Sequence, residues 1–271
     1  LRRNGPIDEA NVRSFYGRQL LAQRLPRQAV FELRRAVDLN GTNAAARLAL
    51  ADGLVQLRQF PAARQTLAGP EWAGKEKLSE GDAEELTRLS ALIDFGSGAR
   101  EAAEKRLQTA LVGNETNTKL RRTLVDIYLL DRRFTNALPV LEELVKLAPE
   151  DRDIAGVLGA VYGEVGRLDE ALKIFGERIA DEPENPTLLV NRGSVLIRAL
   201  KPDLAQADYE KALGMAPRLM RGHVGMADVA LLRGDTNAAI SRLEKALEMT
   251  VPESPAARRV KLHLDRLRTN R

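Results

Sequence analysis

Between residues 153 and 183, apolar side chains return at intervals of three and four. The first run is Val157, Leu158, Val161, Tyr162 and Val165; the second is Ala171, Leu172, Ile174, Phe175 and Ile179. This period predicts two amphipathic helices, each with a single apolar stripe. Gly166 between them suits the left-handed residue that closes a helix, and Asp169 is placed to cap the second. Pro183, which has no N–H to donate, ends it.

The pattern recurs along the chain. Ala103, Ala137, Ala171, Ala205 and Ala239 stand 34 residues apart; one step of 40 leads back to Ala63, and a further 34 to Ala29. Four residues after each alanine comes Leu33, Leu67, Leu107, Leu141, Phe175, Tyr209 or Leu243. Twelve before each comes Gly17, Ala51, Ala91, Val125, Gly159, Gly193 or Ala227. Small residues let two helices cross closely, but a lone helix pair cannot bury its own apolar face, so neighbouring pairs must stack. The prediction is an all-α solenoid of seven stacked antiparallel helix pairs.

The expected organisation places units one and two in residues 1–77, an inserted loop at 78–83, units three to seven in 84–253, and a capping helix in 254–271. Ser254 and Pro255 open that last helix, whose predicted apolar stripe is Ala257, Val260, Leu262, Leu264 and Leu267. In the third unit Asp94 occupies an otherwise apolar column, and an extra residue in the turn at 95–98 would return Leu89, Ser90 and Ile93 to register. Trp72, the lone tryptophan, falls in the Gly/Pro-punctuated stretch from Gly69 to Asp82 and is expected to pin that loop to a neighbouring helix.

Leu158-Gly159-x-x-Tyr162 with Gly166, Ala171, Phe175 and Pro183 resembles the tetratricopeptide repeat, a 34-residue helix–turn–helix. The next unit resembles it through Gly193, Leu196, Ala205, Tyr209, Ala212 and Pro217. The resemblance implies a right-handed α-solenoid and a non-catalytic scaffold or adaptor whose first helices line a concave groove that receives a polypeptide. Carried over by column, it points to Arg88, Lys119, Arg122 and Asp126 as a locally cationic middle of the groove. Asn191, Ser194, Arg198, Arg221 and Asp228 form a polar stretch farther along. The carboxylate clamp known in part of the family is not expected, because only Asn191 and Arg221 match it.

Composition narrows the chemistry. The chain is 44% apolar, enough for a packed core, and it has no cysteine, which excludes disulfides and thiolate chemistry. Its two histidines, His223 and His263, lie 40 residues apart without metal-binding spacing. No cofactor, metal or small-molecule substrate is implied, and no nucleophile sits in a recognisable context. The basic residues collect at the ends: residues 1–43 carry eight against four acidic, and 254–271 carry six against one, leaving the middle acidic. With few aromatics along the groove, a nucleic-acid partner is a distant alternative. No apolar run is long enough for a membrane span. The Arg/Ala/Leu-rich, cysteine-free composition and divergent repeat units resembling those of pilus and exopolysaccharide-export accessories favour a bacterial assembly, secretion or export accessory, in the envelope or periplasm over the cytoplasm. A regulatory module of a larger enzyme is the other reading.

Overall fold

The computed structural model describes residues 6–68 and 78–269; Trp72 and the expected contact of its loop lie outside the described residues. The described residues form fifteen α-helices and no strand. The first three repeats are α1 (Pro6–Ala22) with α2 (Pro26–Leu39), α3 (Ala44–Gln56) with α4 (Phe60–Leu67), and α5 (Glu80–Gly96) with α6 (Arg100–Val112). The fourth comprises α7 (Thr118–Leu130) and α8 (Phe134–Leu147), and the fifth α9 (Arg152–Val165) and α10 (Leu168–Asp181). The last two are α11 (Pro186–Arg198) with α12 (Pro202–Met215), and α13 (Met220–Leu232) with α14 (Thr236–Glu248). A final helix, α15 (Pro255–Thr269), follows. The chain forms two compact units, Leu1–Arg133 with α1–α7 and Phe134–Arg271 with α8–α15.

The repeating columns are the core. All seven register alanines, from Ala29 to Ala239, are fully buried. The bulky column that follows is buried as well, except for half-buried Leu67 at the end of the short α4. At Gly17, Gly159 and Gly193 the first helix meets a bulky residue sixteen positions later in the second. A β-carbon on Gly17 would lie 2.5 Å from Leu33 Cγ, one on Gly193 2.7 Å from Tyr209 Cε1, and one on Gly159 3.1 Å from the Phe175 ring. The helices approach as closely as a missing side chain allows. Burying a bulky side chain at such a crossing contributes about 1.5–3 kcal/mol.

A further column appears at the turns. Five residues before each register alanine the backbone is left-handed, at Arg24, Arg58, Gly98, Arg132, Gly166, Leu200 and Gly234, with φ between 55° and 91°. Only three of these are glycine, so turn geometry is imposed at four sites against the preference of the residue. Gly98 falls in this column, so the third repeat has no extra residue in its turn, contrary to expectation. Asp94 is in register and buried, its carboxylate accepting from Arg64 Nη2 of α4 at 3.0 Å and from Arg106 Nε and Nη2 of α6 at 3.1 and 2.9 Å.

Later repeats fill the Asp94 column differently. Tyr128 donates to Glu104 Oε1 at 2.7 Å while Arg133 donates to Glu104 Oε2 at 2.5 Å and stacks 4.9 Å above the Tyr128 ring. Tyr162, Glu142 and Arg167 repeat the arrangement at 2.8, 2.9 and 4.4 Å. In each case a side chain late in a first helix is tied to the second helix of the preceding repeat. At Asp94 the polarity of that tie is reversed.

Three local expectations change. Ser79 accepts from the Asp82 N–H and caps α5, so residues 80–83 form its first turn and not a loop. The insertion does not part its neighbours, because Leu48 and Ala51 of α3 pack with Leu89 of α5. Arg167 takes the N-cap position of α10, leaving Asp169 within the first turn, where its charge complements the helix dipole. Gly166 does close α9 with φ at 86°. In α15 the Ser254 hydroxyl accepts from the Ala257 N–H, and Ala257, Val260 and Leu264 are buried. Leu262 is instead exposed, because it lies on the outer side of that helix.

Candidate functional site

The first helices position the residues in question, and within unit Leu1–Arg133 these are α3, α5 and α7. Arg88 projects from α5 and is held by two carboxylates: its Nη2 donates to Asp52 Oδ1 of α3 at 2.8 Å and to Glu85 Oε1 at 2.6 Å. Lys119 of α7 reaches the same group, with Nζ 2.5 Å from Glu85 Oε2 and 3.7 Å from Glu84 Oε1. Burial raises the Glu85 carboxyl, but the hydrogen bonds and charges of Arg88 and Lys119 outweigh it and hold it below the ordinary carboxylate range. Asp126 lies one turn beyond Arg122, and burial pushes its carboxyl up against the opposing charges of Arg122 and Arg88. The structure thus brings Arg88, Lys119, Arg122 and Asp126 onto one face, but the locally cationic patch expected there is absent. Asp52, Glu84 and Glu85 compensate it. Asp52 and Glu85 are visible in the sequence in inward columns, and Arg88–Glu85 is an i, i+3 pair.

In unit Phe134–Arg271, Arg221 Nη2 at the start of α13 donates to Asn191 Oδ1 of α11 at 2.9 Å, and Arg198 of α11 pairs with Glu164 of α9 at 2.7 Å. Ser194 donates to the Val190 carbonyl at 2.9 Å and accepts from Tyr209 at 3.4 Å. Burial, first of all, pushes the Tyr209 hydroxyl up to about 12, so this phenol is a donor at any ordinary pH. Asp228 stands apart from these pairs. It is half-buried, and desolvation pushes its carboxyl up against the opposing charge of His263.

Asp228 lines a pocket of about 310 Å³ between α11, α13, α14 and α15. Met220, Val224, Leu243 and Val260 supply apolar wall, and Arg221, Arg259 and His263 converge on it. The contribution of α15 is not legible in the sequence, where Arg259 reads as part of a solvated basic face and His263 as a lone histidine. Their spacing of four residues places both on one side of the helix. The other histidine, His223, is a packing residue: buried, with Nε2 2.9 Å from the Pro217 carbonyl and Nδ1 without a partner. Among the described residues no group of three or more His, Asp or Glu could hold a metal ion, and no helix is long and apolar enough to cross a membrane.

Stacked helix pairs with a left-handed turn, a small residue and a core alanine in fixed register define an all-α helical-repeat solenoid, an architecture made for protein interaction. The tetratricopeptide repeat family matches residues 47–218, and the chain belongs to that family. The family is typically non-catalytic and its partners are proteins. A solved tetratricopeptide repeat protein from Parabacteroides merdae is 17% identical, with 97% of this chain and 99% of that one covered at a TM-score of 0.70. The C-terminal part of a repeat-containing protein from Cytophaga hutchinsonii is 15% identical, with 91% and 98% covered at 0.59. MamA from Desulfovibrio magneticus, from its residue 41 onward, is 17% identical, with 63% and 97% covered at 0.53. At these identities the likeness is one of fold. No curated protein sequence matches the chain.

Proposed function

We propose that this protein is a non-catalytic scaffold or adaptor whose first-helix face binds a polypeptide segment. One observation carries the reading: residues of that face not needed for the stack join neighbouring repeats through polar bonds, as in Asp52–Arg88, Glu84–Lys119, Glu164–Arg198 and Asn191–Arg221. Such pairs present alternating donors and acceptors at the spacing of the repeats, and their side chains are already ordered. A bound segment then exchanges water for protein contacts with less loss of side-chain entropy. Specificity resides in a few desolvated contacts rather than in area. The composition supports a bacterial assembly, secretion or export accessory as its setting.

The test is affinity capture from native extract with the neutral substitutions Arg122→Gln and Arg198→Gln, each at an exposed position of a first helix. Loss of the captured protein at an unchanged melting temperature is the expected outcome. Equal capture by wild type and variant overturns the reading.

A further inference from the structure

Three arginines of the first helices follow one rule, a carboxylate partner: Arg88 pairs with Asp52 and Glu85, Arg198 with Glu164, and Arg192 with Asp208 at 2.6 Å. The pocket beside α15 departs from that rule. Arg221 is bonded to the neutral amide oxygen of Asn191, and Arg259 makes no hydrogen bond or ion pair among the described residues. His263, one turn beyond Arg259, faces the same space, and Ala256 brings the positive, N-terminal end of the α15 dipole to its edge. Against these stands one carboxylate, Asp228, whose half-buried position disfavours its charged form. Met220, Val224, Leu243 and Val260 form an apolar wall.

We infer that this pocket binds an anionic group carried on a short aliphatic body, such as an acidic side chain and its apolar neighbour in a bound polypeptide. Guanidinium groups match the planar carboxylate and can donate two parallel bonds to it. Two such forks, from α13 and α15, reach this one pocket with donors unused. The apolar wall excludes water on one side and strengthens the attraction. A volume of about 310 Å³ is at the lower end of the range for small-ligand sites, which suits one or two side chains and not a cofactor. Asp228 opposes the anion, so it acts as a discriminator: it weakens every acidic ligand and disfavours those that bring charge deepest. The inference rests on the reading that this face receives a polypeptide, but its test does not need the partner.

The test is a titration of the ¹⁵N-labelled full chain with hexanoate, hexyl phosphate, hexanol and hexylamine, followed by amide shifts. Hexanoate should move the amides of Val224, Gly225, Ala256 and Val260 in a saturable way, and hexylamine should not. Arg259→Ala should weaken hexanoate about tenfold, the equivalent of one charge-assisted hydrogen bond. Asp228→Asn should tighten it, since a repelling carboxylate has gone. Preference for hexyl phosphate over hexanoate makes the natural anion a phosphate. No saturable shift with either anion, a stronger response to hexylamine, or weaker hexanoate binding in Asp228→Asn overturns the inference. Capture of a polypeptide that fails while this titration succeeds removes the scaffold reading and leaves the pocket standing.

Discussion

Gly225 of α13 lies flat against the ring of Tyr209 of α12, so close that a β-carbon at 225 would overlap the ring carbons. Gly193, in the repeat to which Tyr209 belongs, covers the ring from another side. One tyrosine therefore fills two crossings, one within a repeat and one between repeats. Neither glycine is there for backbone freedom; both are there for the absence of a side chain.

Gly225→Ala should accordingly destabilise the protein, by roughly 1–3 kcal/mol from overpacking, although alanine is the better helix former. Gly176, in the body of α10, has nothing within reach of an added β-carbon. Gly176→Ala should stabilise by about 0.5–1 kcal/mol. Opposite shifts in melting temperature for the two substitutions are the expected result.

The register alanines give a second check. Ala171 and Ala205 are fully buried where their helix pairs cross. Ala171→Phe or Ala205→Phe should each cost about 1–3 kcal/mol or more, read in urea denaturation. Melting unaffected by both contradicts the packing described.

At the left-handed turn column, Leu200 adopts φ of 55° with an exposed side chain, whereas Gly166 adopts 86° without strain. Leu200→Gly should raise stability by up to about 1 kcal/mol, and Gly166→Ala should lower it by about 1–2 kcal/mol, because the penalty belongs to the β-carbon. Differential scanning calorimetry of the two variants reads both signs.

Asp94 separates a pair of substitutions at one site. Asp94→Ala leaves a gap at a buried helix contact and should cost about 1–3 kcal/mol. Asp94→Leu restores the apolar residue that Leu20, Leu54 and Leu196 place in the same column. Arg64 and Arg106 are half-exposed and can turn to water, so Asp94→Leu should fall within about 1 kcal/mol of wild type.

The Glu85 cluster predicts a pH dependence. Its carboxyl titrates lower in the folded chain than in the unfolded one, so its contribution is present above the unfolded carboxylate value of about 4.3 and fades as pH falls through the lower folded value. Glu85→Gln should cost on the order of 1 kcal/mol at neutral pH and nothing in strong acid. Chemical denaturation of both proteins across that range shows the two curves converging downward. By the same geometry Arg88→Glu would set a third carboxylate beside Asp52 and Glu85 and lower stability, so the binding face is better probed at Arg122 and Arg198.

The seven-fold pattern, the helix pairs and the fully buried alanines were legible before any coordinates, because burial on one side of a helix writes itself as a 3.6-residue period and stacking as a 34-residue one. Gly166 as a helix terminator and Ser254 as a cap were legible too, since both act on their own neighbourhood. Asp94 reads in the sequence as a slip in register, and the turn column does not stand out, because four of its seven residues lack the glycine that would mark them. The charge of the middle face was misjudged for a related reason. Composition along a column names Arg88 and Lys119 without saying that Glu85 bonds to both.

The amino-acid sequence by itself determined the class of architecture, the number of repeats and the positions that must be small. Each of these is a local or periodic constraint, readable from spacing alone. The tertiary structure decided which charges cancel, that Asp94 is an ion-paired member of the core, and that α15 sets Arg259 and His263 at the pocket that Asp228 lines. Those outcomes depend on distances between side chains far apart in the chain, and a Coulomb or hydrogen-bond energy is set by such distances and by the water they exclude.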